Sequence, residues 1–246
     1  MDLTGKTYWL IGASEGLGRA LAKKLDALGV RVVVSARGED RLKDLAAEMS
    51  ERTIVLPVDV SDITKVEEAA SKLPDLDGFI YAAGAYKPFS AKDYDAEAAE
   101  IMFEVNLQGA SRVAATQIPA FVKRNKGHIV FIGSLSSYGG LRASIGYSAS
   151  KAGMKSLAES IKCDLINTDV KVSLIHPGFI RTRLTDKNDF EMPQIIEPEE
   201  AADFVIKGMQ KRQFEYSFPN PFALLFRASR FFPESLYFRI FGEKKA

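Results

Sequence analysis

The chain has 246 residues, 46% of them hydrophobic, enough for a substantial buried core and against disorder as the native state. Thirty-three Lys plus Arg against 32 Asp plus Glu leave a formal charge of +1, so nothing in the overall charge points to nucleic acid as a partner. A single cysteine, Cys163, cannot close an internal disulfide, and His128 and His176 lie too far apart for metal-ligand spacing; a reducing compartment and a metal-free site are expected. The N-terminus lacks a basic-then-apolar signal pattern and no apolar run approaches the ~20 residues of a helical span, so the expected location is the cytoplasm.

In chain order, a strand at 8–11 leads through Gly12-Ala13-Ser14-Glu15-Gly16-Leu17-Gly18 into a helix at 16–28. Further strands are expected at 31–35, 53–57, 78–81, 128–132 and 170–175, separated by helices at 39–50, 62–72, 95–123 and 145–168. Short β-branched runs alternating with longer helical periods are the pattern of parallel strands joined by crossover helices. Several strands are apolar throughout, as strands covered on both faces should be. His176-Pro177-Gly178 interrupts the alternation, and a polar loop at about 176–197 precedes a helix opened by Pro198 and is placed to cover a substrate. In the aromatic and basic segment 214–246, eight of the 16 phenylalanines fall between Phe214 and Phe241. Helical spacing of Phe222, Leu225 and Phe226, then of Leu236, Tyr237, Ile240 and Phe241, predicts two short amphipathic helices separated near Pro233. The expected whole is α/β: one domain over 1–246, a doubly wound Rossmann-type parallel sheet flanked by helices, with a C-terminal helical substrate lobe.

Strand, glycine turn and helix start occur in the order a phosphate site requires, because a turn of Gly12, Gly16 and Gly18 lets main chain approach a pyrophosphate at a helix N-terminus. The spacing is G-x-x-x-G-x-G rather than G-x-G-x-x-G. The second strand ends in Ser35-Ala36-Arg37, where an NAD site would place a carboxylate; Arg37, with Ser35 as an assistant, suits a ribose 2′-phosphate, so NADP(H) is expected to be preferred over NAD(H). Tyr147 and Lys151 are four apart in a helical stretch and share a face. A neighbouring ammonium would favour the phenolate, lowering a reference pKa of ~10 by about two to three units towards neutrality, so the pair could donate and accept a proton.

Together, Gly12-x-x-x-Gly16-x-Gly18, Asp59-Val60, Ala82-Ala83-Gly84, Asn106, Ser134, Tyr147-x-x-x-Lys151 and Pro177-Gly178 resemble the short-chain dehydrogenase/reductase family, in order from about residue 5 to 182. The resemblance implies an NAD(P)-dependent oxidoreductase that interconverts a ketone or aldehyde and an alcohol. It implies catalytic roles for Ser134 at the substrate oxygen, Tyr147 as proton donor, Lys151 at the nicotinamide ribose and Asn106 in a proton relay. Ser136 and Ser137 are nearby alternatives to Ser134, less suitably spaced. Gly12, Ser14, Gly16, Gly18, Ser35, Arg37, Ala83, Gly84, Pro177 and Gly178 are implied around the cofactor, Asp59 and Val60 at its adenine, and Thr182 at its amide. One departure stands out: the family often has Asn-Asn-Ala-Gly where this chain has Tyr81-Ala82-Ala83-Gly84. The short length argues against the extended epimerase or dehydratase branch, while a non-catalytic dinucleotide sensor or scaffold is the alternative function. Leu135, Leu141, Ile145, Phe179 and Leu184 point to an apolar, lipid-like substrate or to core. A homodimer or homotetramer through the helices at 95–123 and 145–168 follows from the same resemblance. For 214–246, burial on the chain's own substrate lobe, a subunit interface and peripheral contact with an anionic membrane are the readings.

Overall fold

The structure is a computed structural model that describes residues 1–188, 191–211 and 213–242. Its order is β1 (Thr7–Ile11), α1 (Gly16–Ala27), β2 (Arg31–Ser35), α2 (Glu39–Ala47), β3 (Ile54–Val55), α3 (Ile63–Ser71), β4 (Gly78–Tyr81), α4 (Ala96–Phe103), α5 (Gly109–Lys123), β5 (Gly127–Ile132), α6 (Ile145–Asp164), β6 (Val170–Pro177), α7 (Pro198–Gln210), β7 (Glu215–Phe218), α8 (Phe222–Ser229) and α9 (Glu234–Phe241). The strands form one sheet in the order β3-β2-β1-β4-β5-β6-β7, and every pair is parallel. The winding reverses between β1 and β4, and in such sheets the crevice beyond the strand C-termini at this point is where ligands bind.

The continuous apolarity of the central strands is explained by cover on both faces. Every residue of β4 and β5 is buried. One face carries Leu21 and Leu25 of α1 with Val205 and Met209 of α7, while the other carries Trp9, Phe79 and Phe131 against Phe121 of α5 and Met154 of α6. This double burial makes the sheet a rigid platform for the strand ends.

Several expected elements are redrawn. The strand at 53–57 contracts to Ile54–Val55 at the sheet edge, where it pairs only with β2. The helix at 95–123 is three pieces, because Glu104–Gln108 forms a π-helical turn between α4 and α5. At its centre Asn106 is fully buried, accepting from the Ala85 amide and donating to the Ala85 carbonyl and Ser150 Oγ. Apolar spacing cannot register such a turn. β6 runs on to Pro177, and the segment 214–246, in which two helices are expected from Phe222 on, begins with a strand, β7, whose Glu215–Phe218 alternate polar and aromatic and dock beside Leu174–Pro177.

The C-terminal helices form as expected, with Pro233 preceding α9. Ala223 and Phe226 of α8 pack with Leu135 and Tyr138, joined by Leu141, Phe222 and Phe241. Tyr237 of α9 donates to the carbonyl of Gly140 at 2.7 Å. The pair therefore covers the turn that follows β5, as a lobe on the substrate side would. Lys244 and Lys245 of the basic segment lie outside the described residues, as do 189–190 of the loop at 176–197. Among the described residues no helix is long and apolar enough to cross a membrane.

Candidate active site

A cleft of about 730 Å³ runs along the C-terminal ends of the strands. At one end main chain does most of the shaping. Gly12 has φ +93°, and a Cβ on it would lie 2.4 Å from the nitrogen of Ala83; one on Gly18 would lie 1.9 Å from the carbonyl oxygen of Gly12. Only glycine lets β1, the turn, α1 and the β4 end approach this closely. The amides of Gly12 and Ala13 are held by the carbonyl of Ser35 at 2.7 and 3.0 Å. α1 starts at Gly16 with no side-chain cap from Glu15, which leaves its first amides for an anion. These features fit a dinucleotide pyrophosphate.

Ser14, Gly16, Arg37, Asp59, Val60, Ala83, Gly84, Pro177, Gly178 and Thr182 line the same cleft. Ser35 does not. It is fully buried, accepts a bond from Trp9 Nε1 at 2.8 Å and donates to the carbonyl of Leu56, so its hydroxyl is committed to the core and its service to the turn is through its carbonyl. Asp59 accepts from the amide and hydroxyl of Ser61; burial works upward on its carboxyl, but those bonds and the nearby Arg37 hold it below its ordinary value.

The sequence reading missed Arg41, Glu15 and Arg183. Arg41 follows Arg37 by four residues, so α2 brings a second guanidinium to the cleft. Glu15 pairs with Arg41 at 3.2 Å and Arg183 at 2.6 Å, tying the glycine turn to the loop after β6. The i+4 spacing could have revealed Arg41. Nothing local could have revealed Arg183, 168 residues from its partner.

At the other end the cleft is built from side chains, Ser134 and Tyr147 half-buried and Lys151 buried. Ser134 follows β5, and its hydroxyl accepts from the amide and hydroxyl of Ser136 at 3.2 and 2.9 Å. Tyr147 and Lys151 project from α6 into the cleft. Burial pushes the Tyr147 phenol up to about 12, against the lowering by a hydrogen bond from Ser134, with Tyr86 adding to the rise. Burial also pulls the Lys151 ammonium down to about 8. The ammonium lies 5.8 Å from the centre of the Tyr147 ring and donates to the carbonyl of Ile132 at 2.9 Å. The expected lowering of the phenol is therefore reversed in this structure: desolvation dominates, and the ammonium is aimed at a carbonyl. At neutral pH the phenol is the protonated form, able to donate.

Asn106 stands behind this group rather than in the cleft wall. Its Oδ1 accepts from the Ala85 amide at 2.7 Å, and its Nδ2 donates to the Ala85 carbonyl at 3.0 Å and to Ser150 Oγ at 2.9 Å. It thereby fixes the β4 loop to α6. The loss of two asparagines at 81–82 has a local answer: Tyr81 is buried in β4 and donates to the carbonyl of Val105 in the π-helical turn.

A parallel sheet with a glycine turn at its switch point, and a half-buried Ser and Tyr with a buried Lys beside it, defines a dinucleotide-dependent oxidoreductase. The family model described as short chain dehydrogenase matches residues 6–192. An uncharacterized oxidoreductase of Myxococcus xanthus (strain DK1622) is 32% identical over 244 residues, which cover 96% of each chain. One from Staphylococcus haemolyticus (strain JCSC1435) is 31% identical over 213 residues, 85% of this chain and 92% of the relative. Among solved structures, a short chain dehydrogenase from Burkholderia cenocepacia J2315, in complex with NADP, superposes with a TM-score of 0.89 at 25% identity, covering 99% of this chain and 100% of that one. The chain belongs to the short-chain dehydrogenase family, and is an oxidoreductase acting on CH–OH groups with NAD(P) as acceptor.

Proposed function

We propose that the chain, taken over 1–246 as one catalytic unit, is an NADP(H)-dependent reductase and dehydrogenase for an apolar ketone or aldehyde and its alcohol. The observation that carries this reading is the contact of Ser134 with a protonated, half-buried Tyr147 in the same cleft as the glycine turn. Gly12, Ser14, Gly16 and Gly18 would hold the pyrophosphate, Asp59 and Val60 the adenine end, Arg37 and Arg41 a 2′-phosphate, and Ala83, Gly84, Pro177, Gly178, Thr182 and Lys151 the nicotinamide half. When bound, the nicotinamide supplies or accepts a hydride. Ser134 steadies the substrate oxygen as charge develops on it, and Tyr147 delivers its proton to that oxygen. The Lys151 ammonium, 5.8 Å from the Tyr147 ring, would favour the resulting phenolate, which takes a proton back from solvent before the next turnover. Asn106 acts on this relay by fixing the Ala85 backbone and Ser150.

The NADP preference is supported by two arginines, and no strand-end carboxylate, at the end of β2, and by the NADP bound to the Burkholderia relative. An apolar substrate is supported by Leu184, which lines the cleft with Ile101, Met102 and Val105, whereas Leu135 and Leu141 pack against α8, Ile145 packs near Phe89, and the Phe179 ring lies 5.8 Å from that of Phe222, all outside the cleft lining. We place the chain in the cytoplasm, working as a homodimer or homotetramer. A peripheral membrane contact would run through α8, α9 and the link between them, where Leu224, Phe231 (87% exposed) and Phe238 stand out with Arg227, Arg230 and Arg239.

The test is a panel of aliphatic and aromatic carbonyls and alcohols with NADPH, NADH and their oxidised forms. Turnover of apolar carbonyls with NADPH in preference to NADH is expected; no turnover of any member, or equal use of both cofactors, contradicts the corresponding part of the reading.

A further inference from the structure

The turn that carries Ser134 is held from behind by a buried polar network that the reaction scheme leaves unused. His176, near the end of β6, is fully buried. Its Nδ1 lies 2.8 Å from the carbonyl oxygen of Ser134 and its Nε2 lies 3.0 Å from the carboxylate of Glu215 on β7. Both partners are acceptors, so each ring nitrogen is placed to donate, Nδ1 to the Ser134 carbonyl and Nε2 to Glu215. The Ser134 amide also approaches Nδ1, at 3.3 Å. Both backbone groups of one residue therefore meet one ring.

Glu215 has further company. Lys155 of α6 lies 3.9 Å from its carboxylate and is itself paired with Glu159. Tyr138, at the far end of the same turn as Ser134, hydrogen-bonds Glu215, and its hydroxyl lies 2.7 Å from Ser217 Oγ. The Tyr138 ring stands 4.9 Å from the His176 ring, and Arg227 of α8 acts on Tyr138 electrostatically. Burial works upward on the Glu215 carboxyl, yet its bonds to His176, the charge of Lys155 and the Tyr138 hydroxyl hold it at about 2. An anion this well satisfied is an anchor of defined direction.

We propose that His176 and Glu215 are positioning residues for the reaction: Glu215 orients the imidazole, the imidazole fixes the Ser134 backbone, and that backbone aims the Ser134 hydroxyl at Tyr147. The inference rests on the reading of Ser134 and Tyr147 as catalytic. Its physical basis is that the hydroxyl lies at a strand end, extended at φ −164° and ψ 158°, on a turn of only four residues, Leu135–Tyr138. His176 of β6 holds the Ser134 end, and Glu215 and Ser217 of β7 hold the Tyr138 end.

The experiment uses the full chain and a carbonyl substrate turned over with NADPH. Glu215→Ala and His176→Phe are expected to lower kcat ~10- to 100-fold, the scale of a misplaced reacting group, while KM and NADPH affinity hold. Glu215→Gln, which keeps an acceptor for Nε2, should recover most of the loss. In a Ser134→Ala background Glu215→Ala should cost little more, because its effect is exerted through the missing hydroxyl. In the protein without ligand, hydrogen exchange at the amides of 134–138 should rise in Glu215→Ala.

Equal losses in both backgrounds, or a fall in NADPH affinity parallel to kcat, would make the pair merely structural and overturn the inference. So would full activity of Glu215→Ala. Should His176→Phe not fold, the comparison of Glu215→Gln with Glu215→Ala decides alone. Near-normal turnover by Tyr147→Phe removes the catalytic reading itself; a dead Tyr147→Phe with additive Glu215 and Ser134 losses removes only this inference.

Discussion

Where β1 and β2 end, the cleft is shaped by main chain: three glycines, a run of helix amides and the carbonyl of Ser35. Where β5, β6 and β7 end, it is shaped by side chains, with His176 reaching Ser134 across 42 residues and Glu215 reaching His176 across 39. The first wall asks only that side chains be absent at close approaches, which a short stretch of sequence can specify. The second needs polar groups from separate strands to satisfy one another inside a core. The nucleotide wall is therefore local in sequence and tolerant of the rest of the chain, whereas the chemical wall depends on the last third.

Substitutions that strike one wall should leave the other measurable. The largest effect is expected on the chemical wall: Tyr147→Phe removes only the transferable proton, and turnover should fall ~10²- to 10⁴-fold, the usual contribution of a general acid, while NADPH binding measured by fluorescence titration persists. Weakening of both together would mean that the walls are not separable. On the nucleotide wall, Gly18→Ala drives a Cβ to 1.9 Å from the Gly12 carbonyl oxygen, so the turn must shift. A loss of ~1–3 kcal/mol in unfolding free energy is expected, together with loss of NADPH binding, and unchanged binding would sink the assignment of the turn.

Arg37→Ala sharpens the comparison within the nucleotide wall. Removing one charge-assisted contact of ~1.5–3 kcal/mol should weaken NADPH by about ten- to a hundredfold and spare NADH, so parallel weakening of both would refute the 2′-phosphate role. The smallest effect concerns acid. Glu215 has a folded value of about 2 against an ordinary 4.5, so its contribution to stability is complete above 4.5 and is lost as pH falls through 2. Burial lowers His128 well below 6.5, so it adds a loss of stability that begins as pH drops beneath 6.5. The gap in Tm between the parent and Glu215→Gln should therefore narrow between pH 4.5 and pH 2; a constant gap would show that charge at Glu215 does not stabilise the second wall.

The difference between the walls also explains what could be read in advance. The glycine turn, Arg37, Ser134, Tyr147 and Lys151 were all legible, because each is marked by spacing within a few residues or by an ordered series of such markers. The sheet itself was legible wherever a strand is apolar on both faces. β7 was not, since a strand of four residues at a sheet edge is too short for its polar–aromatic alternation to stand out beside the aromatic helical runs that follow. The π-helical turn was hidden for a related reason: Met102, Asn106, Ala110 and Val113 keep the spacing of an unbroken helix. Ser35 was misassigned because its neighbour Arg37 does face the cleft, and a strand alternates its faces only where the strand continues. The raised phenol of Tyr147 was out of reach, because desolvation depends on what the rest of the fold stacks above it.

Tyr81 gives the fold a dependence of another kind. Its hydroxyl crosses from β4 to the Val105 carbonyl, and a Cβ on Gly109 would meet that oxygen at 2.3 Å. The tyrosine and the glycine are thus complementary halves of one joint, and neither can change alone without cost. Asparagine at 81 would leave a void in the sheet and a carbonyl without its donor, while alanine at 109 would push the phenol away from the same carbonyl. Passage between the amide-bearing form common in the family and the phenol-bearing form here is therefore a concerted exchange of at least two positions, which makes residues 81 and 109 a pair expected to vary together among relatives.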